Sequence, residues 1–111
     1  MEEPAIACDM TALDAAQRER QHILTKKFRT SLQETQSLQD GYAFRLQADT
    51  ATIMDIAEFI TIERLCCPFL NFALEIGPAG QPLWLRLTGR AGVKEFIEAE
   101  FGMRRIDRQE P

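Results

Sequence analysis

Three stretches of the chain repeat apolar residues at the three- and four-residue spacings that give a helix one apolar face. They predict helices over residues 12–28, over residues 51–66 and over a segment that follows Gly92. Thr11 suits the N-cap of the first helix, because Asp14 follows it three positions later. The residues expected to face the core are Leu13, Ala16, Leu24 and Phe28, then Ile53, Ile56, Ala57 and Ile60, and finally Val93, Phe96, Ile97 and Phe101.

Other stretches alternate apolar and polar residues, which is typical of strands with one buried face. Residues 30–38 fit either a strand or a longer first helix. The Asp40-Gly41 pair favours the strand, because Asp-Gly is a strong hairpin signal in which both residues take positive φ. The clearest alternation is at Tyr42, Phe44 and Leu46, at Phe72, Leu74 and Ile76, and at Leu83, Leu85 and Leu87.

These elements follow one another in the order α-β-β-α-β-β-α. That order predicts an α+β fold in which a four-stranded antiparallel sheet carries helices on one face. The 111 residues suit a single domain over residues 1–111, with an irregular lead-in over residues 1–10 and a frayed, charged tail over residues 104–111. The outward face of the sheet would hold charged residues around Trp84, so we expect a homodimer to form there if the protein self-associates.

Composition limits the classes of function. Apolar residues make up 45% of the chain, enough for a packed core, and the net charge is -4. Such a chain lacks the basic surface of a general nucleic-acid or anionic-membrane binder, so we expect neither partner. No apolar run approaches the roughly 20 residues that cross a bilayer. The acidic N-terminus is unlike a signal peptide, and we therefore expect a cytoplasmic location.

The reactive side chains are concentrated in the run Glu-Arg-Leu-Cys-Cys-Pro-Phe, from Glu63 to Phe69. Pro68 disfavours a helical backbone at Cys67, so the second helix should end at the cysteine pair. On that helix, Glu63, Arg64 and Cys67 fall on the same stripe as the isoleucines expected to face the core. Both charged residues should then neighbour the Cys67 sulfur, and they should pair with each other or with nearby groups, because an unpaired buried charge is costly.

Three cysteines in a chain without an export signal do not suggest a disulfide framework, and we expect free thiols. Cys66 and Cys67 can bind a soft ion such as Hg(II), Cu(I), As(III) or Zn(II), especially with a third ligand. Cys8 is the candidate third ligand, because it precedes the first helix and its loop can fold over the end of the second. Further donors and neighbours can come from Asp9, His22, Glu63 and Arg64.

A soft-ion site indicates sequestration, delivery or sensing rather than turnover. One alternative is a thiol-dependent redox enzyme with Cys67 as nucleophile, Arg64 as partner of its thiolate, Glu63 as proton carrier and Cys66 or Cys8 as resolving thiol. The negative end of a helix opposes a thiolate, which weighs against that alternative. A second alternative is a structural or interaction protein whose thiols are packed and inert.

Several segments resemble a family of small uncharacterised bacterial proteins that carry a Glu-Arg-x-Cys-Cys-Pro-Phe motif. The similar segments run from Glu63 to Phe72, from Trp84 to Gly89 and from Gly92 to Phe96. The likeness covers most of the chain, including a cysteine before the first helix and an Asp-Gly-Tyr hairpin. The family has no established activity. The resemblance implies a shared design that includes Cys8, Cys66, Cys67, Glu63 and Arg64.

Overall fold

The computed structural model describes residues 5–102, and the tail predicted over residues 104–111 lies outside them. The chain forms helices α1 (Ala15–Ser31), α2 (Thr50–Cys66) and α3 (Val93–Glu100) and strands β1 (Leu32–Leu38), β2 (Gly41–Leu46), β3 (Asn71–Ile76) and β4 (Leu83–Thr88). The strands make one antiparallel sheet in the order β1-β2-β4-β3. The predicted α+β fold and its order of elements are therefore confirmed.

The hairpin between β1 and β2 forms as predicted, but Asp40 and Gly41 are not its two central turn residues. Leu38 pairs with Gly41, so Gln39 and Asp40 are the two loop residues, and no non-glycine residue in the described range has a positive φ. Gly41 lies within the sheet, opposite Thr88 of β4. A Cβ at this position would collide with the Leu87 carbonyl oxygen, so glycine is needed here for close approach of two strands.

The first helix begins later than its sequence pattern predicts. The expected N-cap, Thr11, lies in a 3₁₀ turn, Met10–Ala12, and Asp14 is the N-cap of α1. The Asp14 carboxylate accepts from the Gln17 backbone N–H at 2.8 Å, and the Gln17 side chain accepts from the Asp14 backbone N–H at 2.9 Å. This reciprocal capping box satisfies two N–H groups at once and outcompetes a start at Thr11.

The core lies between the helices and the inner face of the sheet. The alternating residues predicted to face inward on β2 and β4 are buried, and α1 and α2 pack side by side above them. Phe28 of α1 stacks on Phe59 of α2 with ring centres 5.5 Å apart and meets Phe44 of β2 edge-on at 5.2 Å. Phe101, after α3, closes this aromatic cluster.

Helix α2 presents a different face to the core from the one predicted. Its buried residues are Thr52, Ile56, Phe59, Ile62, Glu63 and Cys66, whereas Ile53 and Ile60 are half-buried and Ala57 is exposed. The helix is apolar on several sides, so spacing alone does not fix its rotation. Contact of Phe59 with Phe28 turns it, and this rotation leaves Arg64 exposed while Glu63 is 1% exposed.

The outer face of the sheet is polar. Arg45, Trp84 and Glu75 lie side by side on β2, β4 and β3, and Trp84 is half-buried between the two charged residues. Arg45 also pairs with Glu34 at 3.2 Å across β1 and β2. The homodimer expected at Trp84 stays a prediction. None of the helices within residues 5–102 is long and apolar enough to cross a membrane.

Candidate metal centre

The end of α2 is where the sequence predicts it, at the cysteine pair. Cys66 is the last helical residue, and Cys67 is the C-cap, with its backbone N–H donating to the Glu63 carbonyl at 2.8 Å. Pro68 then prevents the helix from continuing. The two adjacent thiols are both 0% exposed, and their sulfurs lie 3.8 Å apart.

The lead-in segment brings the third cysteine to this helix end. It is irregular over residues 5–9, and the Asp9 backbone N–H donates to the Cys66 carbonyl at 2.9 Å. That bond satisfies one of the carbonyls that every helix leaves free at its C-terminus. It also places Cys8, the preceding residue, beside the pair. The ligand atoms of Cys8, Cys66 and Cys67 all lie within 4.8 Å of one another.

The predicted neighbours divide into those that reach the sulfurs and those that do not. Glu63 reaches them, because the Cys67 thiol donates to its Oε2 at 3.6 Å. Arg64 is exposed, and within residues 5–102 it forms no ion pair with Glu63, so the prediction that both charges face the core is wrong for Arg64. His22 is exposed on α1, outside the sulfur cluster, and the Asp9 carboxylate accepts from the Thr11 backbone N–H instead.

Sequence reasoning missed two neighbours of the site. The Gln21 side chain of α1 donates to Glu63 Oε1 at 3.4 Å, which gives the buried carboxyl its contact with the adjacent helix. The Met10 thioether lies 3.5 Å from the Cys8 sulfur. Gln21 carries no signal in the sequence, since it occupies a polar helical stretch. Met10 lies two residues after Cys8 in the sequence, and this short separation is the feature from which its contact with Cys8 could have been predicted.

The surroundings of the cluster oppose negative charge on Glu63, Cys8 and Cys67 but favour it on Cys66. Burial raises the pKa of the Glu63 carboxyl, and the charge of Glu100 adds to this effect. Burial, followed by the nearby Cys66 sulfur, raises the pKa of the Cys8 thiol to about 12. The contact between the two sulfurs raises the pKa of Cys67 and lowers that of Cys66, so Cys67 keeps its proton. In the ion-free protein, Cys8 and Cys67 therefore keep their protons, and Cys66 is the thiol of the three that ionises most readily.

Access to the cluster is through Cys8. This residue is half-buried, and it lines a cavity of about 330 Å³ together with Ala5, Ala7, Asp9 and Pro68. Cys66 and Cys67 lie behind it, closed off from solvent. Cys8 is therefore the member of the cluster that this cavity reaches.

Comparison of the chain with protein-family models, with curated proteins and with solved structures finds no match in any of the three. The resemblance carried by the Glu63–Phe72 segment therefore stays a prediction. Any function has to be argued from the geometry of the site itself.

Proposed function

We propose that this protein binds one soft metal or metalloid ion through the thiolates of Cys8, Cys66 and Cys67. Its role is then to sequester, deliver or sense that ion. The observation that supports this is the closeness of three sulfurs from distant parts of the chain, all within 4.8 Å of one another. Metal–sulfur bonds of about 2.3 Å put sulfurs roughly 3.8 to 4.0 Å apart around one ion. The Cys66 and Cys67 sulfurs, at 3.8 Å, already have that spacing.

The raised pKa values of Cys8 and Cys67 are compatible with ion binding. A soft ion displaces the thiol protons when it binds, so a site does not need preformed thiolates. A cytoplasmic location fits this proposal, because a reducing compartment keeps three close thiols from forming disulfides.

A thiol enzyme with Cys67 as nucleophile has less support. The nucleophile must be a thiolate, and Cys67 keeps its proton beside the Glu63 carboxyl. Arg64, the expected thiolate partner, is exposed. Inert packing of the thiols agrees with the burial of Cys66 and Cys67. Inert packing does not require the third cysteine, Cys8, to lie beside the other two.

The proposal is tested by equilibrium dialysis of the reduced protein, under anaerobic conditions, against Hg(II), Cu(I), As(III) and Zn(II) in turn. We expect at least one of these ions to bind at one per chain, and the double variant Cys66→Ala, Cys67→Ala to lose that binding. Alanine is the better replacement at these buried positions, because a serine hydroxyl would need a hydrogen-bond partner. Circular dichroism checks that the double variant folds. The proposal is wrong if the wild type takes up none of the four ions more tightly than the folded double variant does.

A further inference from the structure

The net charge of the filled site separates the soft ions from one another. Three thiolates contribute three negative charges, which a trivalent ion cancels completely. Zn(II) or Hg(II) bound by all three sulfurs leaves one negative charge, and Cu(I) leaves two. Two of the three ligands, Cys66 and Cys67, are closed off from solvent, and a net charge left in such a place is costly unless a partner compensates it.

The protein offers little to compensate a negative site. Within residues 5–102, the cysteine pair contacts one carboxyl, that of Glu63, which accepts from Cys67 at 3.6 Å. Cys66 and Cys67 lie at the C-terminus of α2, where the free carbonyls carry partial negative charge. Arg64, the one basic residue in the last turn of α2, is exposed. Each of these features favours a complex without net charge.

The number of donors points the same way. A structural Zn(II) site is closed by four ligands. Trivalent arsenic forms three bonds and keeps a lone pair, so three sulfurs complete its coordination. The nearest extra donors here are Glu63, which would add another negative charge, and the Met10 thioether, which lies 3.5 Å from the Cys8 sulfur and is a weak ligand.

From the burial, charge and number of these donors, we infer that the site selects a trivalent metalloid ion of the arsenite type. This inference rests on the proposed function, since it requires all three sulfurs to bind one ion. Arsenite enters as the neutral As(OH)₃. Three As–O bonds break and three As–S bonds form, and each hydroxide leaves with one thiol proton as water. The oxidation state of arsenic does not change, and no net charge is created in the site.

The test compares arsenite with a divalent ion in wild type and in Cys8→Ala. A divalent ion reaches neutrality with two thiolates, so it can bind Cys66 and Cys67 without the third sulfur. Affinities for arsenite, Hg(II) and Zn(II) are measured on the reduced protein in competition with a small dithiol. Cys8 is half-buried outside the main helices, so Cys8→Ala should fold, and Cys8→Ser provides a second variant. Met54→Ala is the matched control, because Met54 is 66% exposed on α2 and lies outside the sulfur cluster.

We expect Cys8→Ala and Cys8→Ser to weaken arsenite binding by at least about 100-fold and Hg(II) binding by less than about tenfold. Met54→Ala should change arsenite affinity by less than about threefold. The inference is overturned, with the proposed function intact, if Zn(II) outcompetes arsenite in the wild type. It is equally overturned if loss of Cys8 affects Hg(II) as strongly as arsenite. If the wild type binds none of these three ions, the inference fails, and if it does not bind Cu(I) either, the proposed function fails with it.

Discussion

The two halves of α2 bury the same face of one helix but place different chemistry on it. In the first half, Ile56 and Phe59 are buried, and Phe59 stacks on Phe28 within the aromatic cluster. In the second half, the same face buries Glu63 and Cys66, followed by Cys67. One half is ordinary core, and the other holds a carboxyl and two thiols where a core would hold aliphatic side chains.

This difference shows where stability and function separate along one element. A buried carboxyl costs free energy unless it is protonated or well paired, and among residues 5–102 the hydrogen bonds of the Glu63 carboxyl are long ones, to Gln21 at 3.4 Å and to Cys67 at 3.6 Å. Ionisable groups with strongly shifted pKa values, placed beside nucleophilic or ligating side chains, are concentrated at functional sites. The second half of α2 therefore supports the proposed binding site, whereas the first half is a packing surface.

The largest effect is expected in the first half of α2. Phe59→Ala should lower the free energy of unfolding by about 3 to 5 kcal/mol, because it removes a fully buried ring from the aromatic cluster. Urea unfolding measures the loss. Met54→Ala is the matched control on the same helix, since Met54 is 66% exposed, and it should change stability by less than about 0.5 kcal/mol. Similar losses of stability in both variants would mean that the Phe59 ring contributes no more to the core than an exposed side chain does.

The next effect concerns the sulfur cluster. Arsenite at 100 times its dissociation constant should raise the free energy of unfolding by up to about 2.7 kcal/mol, which is the value for a ligand that binds the folded chain alone. Cys8→Ala at the same ion concentration should show a much smaller increase. Thermal unfolding with and without the ion, followed by removal with a chelator, measures both. Equal stabilisation of wild type and Cys8→Ala would exclude Cys8 from the site.

A third effect should appear in the pH dependence of the ion-free protein. Burial raises the pKa of Glu63, so the folded chain keeps this proton to a higher pH than the unfolded chain. Stability should then fall as pH rises above the ordinary value of 4.5, by at most about 1.4 kcal/mol per pH unit until Glu63 ionises in the folded state. Glu63→Gln removes this loss, so the variant should gain stability relative to wild type over the same interval. Parallel pH profiles for the two proteins would contradict the burial of an ionisable Glu63.

The smallest effect is expected at Arg64, next to Glu63 in sequence but on the exposed side of α2. Arg64→Ala should change the free energy of unfolding by less than about 0.5 kcal/mol and leave the alkylation rates of the native thiols unaltered. Thiol labelling before and after addition of urea measures these rates. A markedly slower reaction in the variant would restore Arg64 as a thiolate partner.

Much of the fold could be predicted because its signals are local. Alternation fixes the inner faces of β2 and β4, and Pro68 fixes the end of α2. The rotation of α2 could not be predicted, because its sequence is apolar on several sides and a tertiary contact, Phe59 with Phe28, selects one of them. The rotation predicted from spacing turns both Glu63 and Arg64 toward the core. The observed rotation buries Glu63 and leaves Arg64 exposed.

The site depends on one contact that no local pattern encodes. Cys66 and Cys67 are adjacent in sequence, so their closeness was certain, but Cys8 reaches them only through the hydrogen bond from the Asp9 backbone N–H to the Cys66 carbonyl. Almost every residue has the same backbone N–H and carbonyl groups, so the sequence does not indicate that Asp9 will bond to Cys66. Its chemistry and its place before the first helix make Cys8 the candidate third ligand, and the fold supplies the proximity.

The most direct test of the three-sulfur site is the number of sulfur atoms around one bound soft ion. X-ray absorption at the edge of the bound element counts them in reduced protein loaded with one equivalent of arsenite. The site described here predicts three sulfur neighbours in the wild type and two in Cys8→Ala. Two sulfurs in both proteins, or a shell of oxygen in the wild type, would contradict it.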